Sequence, residues 1–260
     1  MRLAAFQMSA WPGDVPANLA LIGEAARAAA AAGAEIVVAP ELATTGYGAG
    51  ETLRKLAEPA DGDQVSALAT MAGRYGVGIV AGFAESHGRK IYDAAAFVSP
   101  TGERVIYRKC QLYSEYERSL FTPGDALPRV FTLAGVRAGL LVCYDVEFAE
   151  LPRRLAIAGA ELILVPTALP QGPGAAFSAE KVVPVRAFEN PVVVVYANHA
   201  GGDTRFTYAG RSCIAMPDGS EATRAGVTEA ALVLADYDRA AYAASRRANP
   251  YLADRRDDLV

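Results

Sequence analysis

Cysteine is scarce in this chain: three residues among 260, with no C-x-x-C pair. That argues against a disulfide framework and points to a reducing, cytoplasmic setting. Histidine is scarcer still. His87 and His199 stand far apart in sequence, so neither a zinc-type ligand cluster nor a Cys–His hydrolase motif is visible. No apolar run approaches the roughly 20 residues that cross a bilayer, so a membrane partner is not expected. The formal net charge is only -4, with the signs interspersed, which argues against nucleic acid or an anionic lipid surface. The opening stretch Met1–Phe6 reads as a first strand, because Ser9, Trp11-Pro12 and Asp14 interrupt it too early for a signal peptide. Linkers and low-complexity tracts are also missing, so a single domain over residues 1–260 is expected.

What the chain has in quantity is apolar side chain. At 52% hydrophobic it can fill a large α/β core without covalent staples. Strand-period and helix-period segments alternate: strand Leu3–Met8, a helix over Ala17–Ala32 with Asn18 near its start and Gly33 at its stop, strand Glu35–Ala39, helix Val65–Tyr75, strand Val77–Phe83. A hairpin follows, Asp93–Ser99 and Glu103–Tyr107 around Pro100-Thr101-Gly102.

The second half repeats this order. Ala32–Pro40 matches Ala158–Pro166 at an offset of 126 residues, Ser99–Gly102 echoes Met216–Gly219 at 117, and Arg2–Phe6 aligns loosely with Arg137–Leu141 at 135. Two homologous halves with different loops explain such drifting offsets, whereas a short-period solenoid does not. Packing two mixed sheets face to face predicts a four-layer αββα sandwich with two pseudo-symmetric halves. In that pairing Glu41 corresponds to Thr167 and Met8 to Cys143, so the scaffold repeats while its chemistry does not.

Three strand ends carry reactive groups. Gly139-Leu140-Leu141-Val142-Cys143 ends on a thiol, Ile36-Val37-Val38-Ala39-Pro40-Glu41 on a carboxylate, and Val105-Ile106-Tyr107-Arg108-Lys109 on an ammonium. Strand ends are where open α/β sheets collect their chemistry. A nucleophile, a base and a cation suit acyl transfer through a thioester. Each also has an ordinary reading: Cys143 as a buried structural thiol, like Cys110 and Cys213; Glu41 as a loop carboxylate binding backbone amides; Lys109 as one more cation beside Arg108.

Taken together, Pro40-Glu41-Leu42-Ala43-Thr44-Thr45-Gly46-Tyr47, Tyr107-Arg108-Lys109 and Cys143-Tyr144-Asp145-Val146-Glu147-Phe148 resemble the three motifs of the nitrilase superfamily of carbon–nitrogen hydrolases. Glu117, followed by Phe121-Thr122-Pro123-Gly124, resembles the family's second glutamate with its tail. The resemblance runs from the first strand to about Tyr237. It implies an αββα fold that pairs into a homodimer or larger homo-oligomer, a small-molecule amide as substrate, and no metal or cofactor. It also implies roles: Glu41 as base, Lys109 with the Tyr144 N–H as oxyanion holder, Glu117 as orienter, and Cys143 as nucleophile. Cys110-Gln111-Leu112 departs from the family's usual histidine before the leucine, in a loop that bears on specificity.

Candidate substrate-binding residues are Tyr47, Tyr113, Tyr116, Tyr144, Asp145, Glu147, Phe148, Thr167 and Asn198, with Phe177 as a further aromatic wall and His199 at the same mouth. Glu147 stands where carboxylate-binding relatives often place an arginine. This favours a neutral or amine-bearing amide, although Glu147 also reads as a helix-start carboxylate paired with Arg153 or Arg154. A nitrilase or N-carbamoyl amidase uses the same three residues. A non-catalytic scaffold of the same fold is the alternative from another class.

Overall fold

The computed structural model describes residues 1–256 and 258. The chain runs β1 (Arg2–Gln7), α1 (Val15–Ala31), β2 (Ile36–Val38), α2 (Leu53–Leu56), α3 (Asp63–Tyr75), β3 (Gly78–His87), β4 (Lys90–Val98), β5 (Arg104–Arg108) and α4 (Ser114–Leu120). It continues through β6 (Val130–Leu133), β7 (Val136–Leu140), α5 (Glu150–Ile157), β8 (Leu162–Thr167), α6 (Ala175–Phe177), α7 (Val183–Glu189) and β9 (Val193–Asn198). The final strands are β10 (Cys213–Ala215), β11 (Glu221–Arg224) and β12 (Ala231–Asp236).

Two six-stranded sheets result, ordered β12-β1-β2-β3-β4-β5 and β11-β10-β9-β8-β7-β6. Helices α1 and α3 cover the first sheet, α7 packs on β9 and β10 of the second, and the sheets meet face to face through β1, β2, β3, β8 and β9. The side-chain alternation of a strand sorts the faces. Leu3, Ala5, Ile36 and Val38 join the core between the sheets, while Ala4 and Val37 join the layer beneath the helices with Ile22, Ala26, Leu68 and Ala72. This is the expected αββα sandwich.

The offsets read from the sequence reappear as strand register. Leu3 pairs with Ile36 and Ala138 with Leu162; Val98 pairs with Ile79 and Ala215 with Val194. The halves differ from a simple tandem in one respect. β6 lies next to β7 rather than β5, and its counterpart beside β1 is β12, from the far end of the chain. Each sheet therefore has the same six-strand order, but the first is completed by a segment that follows the second.

Local boundaries shift for physical reasons. Helix α1 begins earlier than Ala17 because Asp14, not Asn18, caps it, accepting from the Ala17 N–H at 3.0 Å with a proline in the first turn. Asn18 is buried instead, bonded to the backbone of Trp11 and Thr44. The hairpin strands β3 and β4 run to His87 and Lys90, well beyond Phe83, because their edge-to-edge ladder continues past the sandwich.

Candidate active site

Each reactive side chain is set by a backbone device at a strand end. After β2 the chain stays beside β3: the Ala39 N–H donates to Val80, the Gly82 N–H to Pro40 and the Thr44 N–H to Gly82. Leu42 then turns with φ +48°. This close approach requires glycine at 82, since a Cβ there would lie 2.1 Å from the Leu42 nitrogen and 2.5 Å from Glu41 Cα. Lys109 extends the β4–β5 ladder, its N–H donating to the Asp93 carbonyl at 2.8 Å. The Phe121–Gly124 tail packs back on this strand end. Gly124 donates to the Lys109 carbonyl at 2.7 Å, and a Cβ at 124 would sit 2.4 Å from the Arg108 carbonyl oxygen.

The strand expected to end on Cys143 stops at Leu140, with one more ladder bond from the Leu141 N–H to Leu164 at 3.1 Å. Val142 is extended, and Cys143 opens a short 3₁₀ turn with φ +45°. A side chain in the left-handed region is strained, and the surroundings hold it there. Asp145 is the principal brace. Its buried carboxylate accepts from the Val142 N–H at 3.1 Å, the Gln111 N–H at 2.8 Å and the Tyr107 hydroxyl at 2.9 Å, tying the cysteine turn to the lysine strand. Burial pushes that carboxyl up to about 6, although Lys109 and these three donors pull the other way. Arg186 adds a second clamp, donating to the Val146 carbonyl at 3.0 Å and the Glu147 carbonyl at 2.7 Å.

At the centre lies Lys109, wholly buried. Its Nζ stands 2.5 Å from Glu41 Oε1, 2.7 Å from Glu117 Oε1 and 3.6 Å from Asp93 Oδ2. Glu117 is held in turn by the Tyr47 hydroxyl at 3.0 Å and the Tyr113 N–H at 2.7 Å. Carboxylate oxygens of Glu41, Asp93 and Glu117 fall within 4.8 Å of one another, a gathering that a metal ion can use. Here the lysine ammonium occupies the space between them.

Electrostatics follow from this enclosure. Burial opposes charge on Glu41, but the Lys109 charge and the hydrogen bond from its ammonium help hold the carboxyl below the ordinary range. Burial also works against the Lys109 charge; Glu117 and Glu41 overcome it and hold the ammonium well above the usual lysine range. Burial, then the Glu41 charge, push the Cys143 thiol well up, with Lys109 and the Ala168 N–H only partly compensating. These directions favour a neutral Cys143 thiol beside an ionised Glu41, so any reaction at this sulfur would need a base to take its proton.

The structure brings Glu41, Lys109, Glu117 and Cys143 together and distributes the other sequence candidates around them. The expected aromatic wall divides in two. Tyr47, Tyr116 and Phe206 pack against one another in tilted and edge-on pairs at 5.0–5.3 Å beneath Glu117, while Tyr113, Tyr144 and Phe148 form edge-to-face contacts at 5.2 and 4.9 Å beside the cysteine turn. Phe177 joins neither, being 66% exposed. Glu147 is half-buried, bonded to Ser178 and facing Arg186; Arg153 instead lies 4.0 Å from Glu189. Thr167 accepts the Glu41 N–H at its carbonyl, at 3.4 Å. The Asn198 amide is taken up by the Leu169 N–H and the Gly210 carbonyl at 2.9 and 2.7 Å. His199 is neither solvated nor at a mouth. It is fully buried, with Nε2 2.7 Å from the Glu41 carbonyl oxygen. Asp93 was not among the sequence candidates, yet strand parity places it on the face of Ala95 and Phe97, between the sheets.

Comparison with known proteins gives a consistent result. Residues 2–247 match the family described as carbon-nitrogen hydrolase. A hydrolase encoded in the pqqF 5′ region of Pseudomonas protegens is 40% identical over 264 residues, covering 100% of this chain and 90% of that protein. An (R)-stereoselective amidase of a Pseudomonas species is 35% identical, covering 98% of this chain and 92% of the relative. Among solved structures, a mutant of the amidase from Nesterenkonia sp. AN1, showing the result of Michael addition of acrylamide at the active site cysteine, superposes with a TM-score of 0.88. It is 34% identical and covers 100% of this chain and 98% of that one.

Proposed function

The chain belongs to the carbon–nitrogen hydrolase family, and on that premise we propose that it hydrolyses a small carboxamide to the carboxylate and ammonia through a thioester on Cys143. The observation that carries this reading is the buried Lys109 ammonium, bridged to Glu41 and Glu117 at 2.5 and 2.7 Å beside a cysteine with φ +45°.

In this reading Glu41 takes the thiol proton as sulfur attacks the amide carbon. The charge developing on the carbonyl oxygen is held by Lys109 and the Tyr144 N–H. Collapse breaks the C–N bond, and the proton on Glu41 passes to the departing ammonia. Water then attacks the thioester, giving its proton to Glu41, and the carboxylic acid leaves as the Cys143 thiol is restored. Glu117 holds Lys109 in place throughout, and Tyr47 and the Tyr113 N–H hold Glu117.

For substrate, the neutral or amine-bearing class fits best. Glu147 lies within electrostatic reach of Lys109 and would repel a substrate carboxylate, while Tyr113, Tyr144 and Phe148 offer an apolar wall. The test is ammonia release from short aliphatic amides, their amino-substituted counterparts, ω-amides of dicarboxylic acids, nitriles and N-carbamoyl compounds, with Cys143→Ala alongside. Turnover of neutral and amino amides, lost in the variant, is the expected result. A higher kcat/KM for ω-amides would overturn the Glu147 argument, and preference for nitriles or N-carbamoyl compounds would overturn the amidase assignment.

A further inference from the structure

Glu41, Asp93 and Glu117 are all buried around one buried ammonium, Lys109. Writing every carboxyl as ionised leaves two uncompensated negative charges in a volume closed to water, which is far costlier than retaining a proton. The hydrogen bonds indicate which group keeps it. Glu41 and Glu117 each take a short bond from Lys109, and Glu117 takes two more, from the Tyr47 hydroxyl and the Tyr113 N–H. Asp93 lies 3.6 Å from the ammonium, and no donor among the described residues meets either of its oxygens or Glu41 Oε2.

We propose that Asp93 is a neutral carboxylic acid whose O–H donates to Glu41 Oε2, making it a positioning residue for that carboxylate. One proton then satisfies Glu41 Oε2 and removes one of the two excess charges. The backbone bond from Lys109 N–H to the Asp93 carbonyl locks the acid beside its partner at the end of the β4–β5 ladder. The groups facing Asp93 are Glu41 from the end of β2, Lys109 from β5 and Glu117 from α4. Burial and then the Glu41 charge drive its carboxyl well above the ordinary range, in agreement with the geometry.

The consequence concerns Glu41. A carboxylate oxygen has two lone pairs, so Oε2 can accept from Asp93 on one and leave the other for the Cys143 proton. Asp93 keeps its own proton throughout the cycle. It fixes the orientation of Glu41 and keeps it ionised to lower pH than an ordinary glutamate. This rests on the reading of Glu41 as the base.

The experiment compares wild type, Asp93→Asn and Asp93→Leu. Infrared difference spectra between wild type and Asp93→Asn should show the C=O stretch of a protonated carboxylic acid in the wild type at neutral pH. In thermal unfolding, the folded wild type holds a proton that the unfolded chain releases, so its stability is lost as pH rises above the ordinary aspartate range. Asp93→Asn lacks that loss, and its advantage in Tm should grow with pH from near zero in acid. In turnover, the Asn amide still donates to Glu41, so kcat should stay within about threefold. Asp93→Leu removes the donor; kcat should fall about tenfold or more with KM little changed, and the acid limb should move toward the ordinary glutamate range. A missing infrared band, with a Tm difference that does not vary with pH, would overturn the proposal. So would an Asn variant as impaired as the Leu variant. Because the infrared and unfolding readouts need no substrate, they decide the proton on Asp93 even if no amide is turned over, an outcome that would sink the proposed function alone.

Discussion

The ends of β2 and β8 are the same piece of backbone used for opposite purposes. Ala39-Pro40-Glu41 and Val165-Pro166-Thr167 occupy equivalent positions in the two sheets, and they touch: the Glu41 N–H donates to the Thr167 carbonyl at 3.4 Å. The active-site candidates thus lie where the halves meet. The first half places a carboxylate and an ammonium at the ends of β2 and β5 and a second carboxyl within β4, while the second half places a thiol after β7. The two sheets are near-equivalent scaffolds, and the candidate site residues are divided between them rather than repeated in each. Met8, the counterpart of Cys143, is a fully buried core residue, which shows how little the backbone alone dictates reactivity.

The largest expected effect comes from moving the carboxylate across this boundary. Glu41→Thr combined with Thr167→Glu keeps composition and backbone but separates the carboxylate from Lys109. The double variant should lose at least about a thousandfold in kcat, as Cys143→Ala should. Recovery of a tenth of wild-type activity would mean the halves are interchangeable after all.

Next is the pair Gly82 and Ala197, equivalent positions on β3 and β9. Gly82→Ala forces a methyl onto the Glu41–Leu42 backbone and should cost about 1–3 kcal/mol in urea unfolding, with a large fall in kcat. Ala197→Gly should cost about 0.5–1 kcal/mol and leave kcat nearly unchanged. Equal effects would remove the distinction between a strand shaped by the site and one shaped by packing.

Asp145→Asn sharpens the same contrast within the second half. It leaves at least one of the Val142, Gln111 and Tyr107 donors without an acceptor, at about 1–3 kcal/mol. Through the cysteine turn it should lower kcat more than it raises KM. The reverse pattern would assign Asp145 to substrate binding.

The smallest effect is a displaced limb in the pH profile. Glu41 is held below the ordinary glutamate range, so kcat/KM should fall only when pH drops beneath that range. No basic limb from Lys109 is expected below the ordinary lysine range, because its charge is held above it. Alkylation of Cys143 by iodoacetamide should keep rising with pH beyond the usual thiol range; a plateau at neutral pH would indicate a preformed thiolate.

Much of this was legible in the sequence. The repeat offsets became strand register because buried strands leave little freedom to slip, and residues at strand ends are marked by local wording alone. What stayed hidden depends on contacts between sheets. Asn198 ends β9 and His199 follows it; both read as facing a ligand, yet they bond the backbone of neighbouring turns. Tyr47 read as a pocket wall and lies under Glu117. Asp93 was the most recoverable omission: a lone carboxylate two residues before Ala95 and four before Phe97 must share their inward face.

The pairing of β12 with β1 has a consequence in time. Arg2 and Asp236 bond across the sheet although 234 residues separate them. During synthesis β1 must wait with one edge open while nearly the whole chain is made, and unpaired edges recruit other strands. Closing the sheet is a late, long-range step of the kind that folds slowly. A chain interrupted between residues 143 and 231 therefore carries all four candidate site residues, but its first sheet lacks the strand that seals its edge.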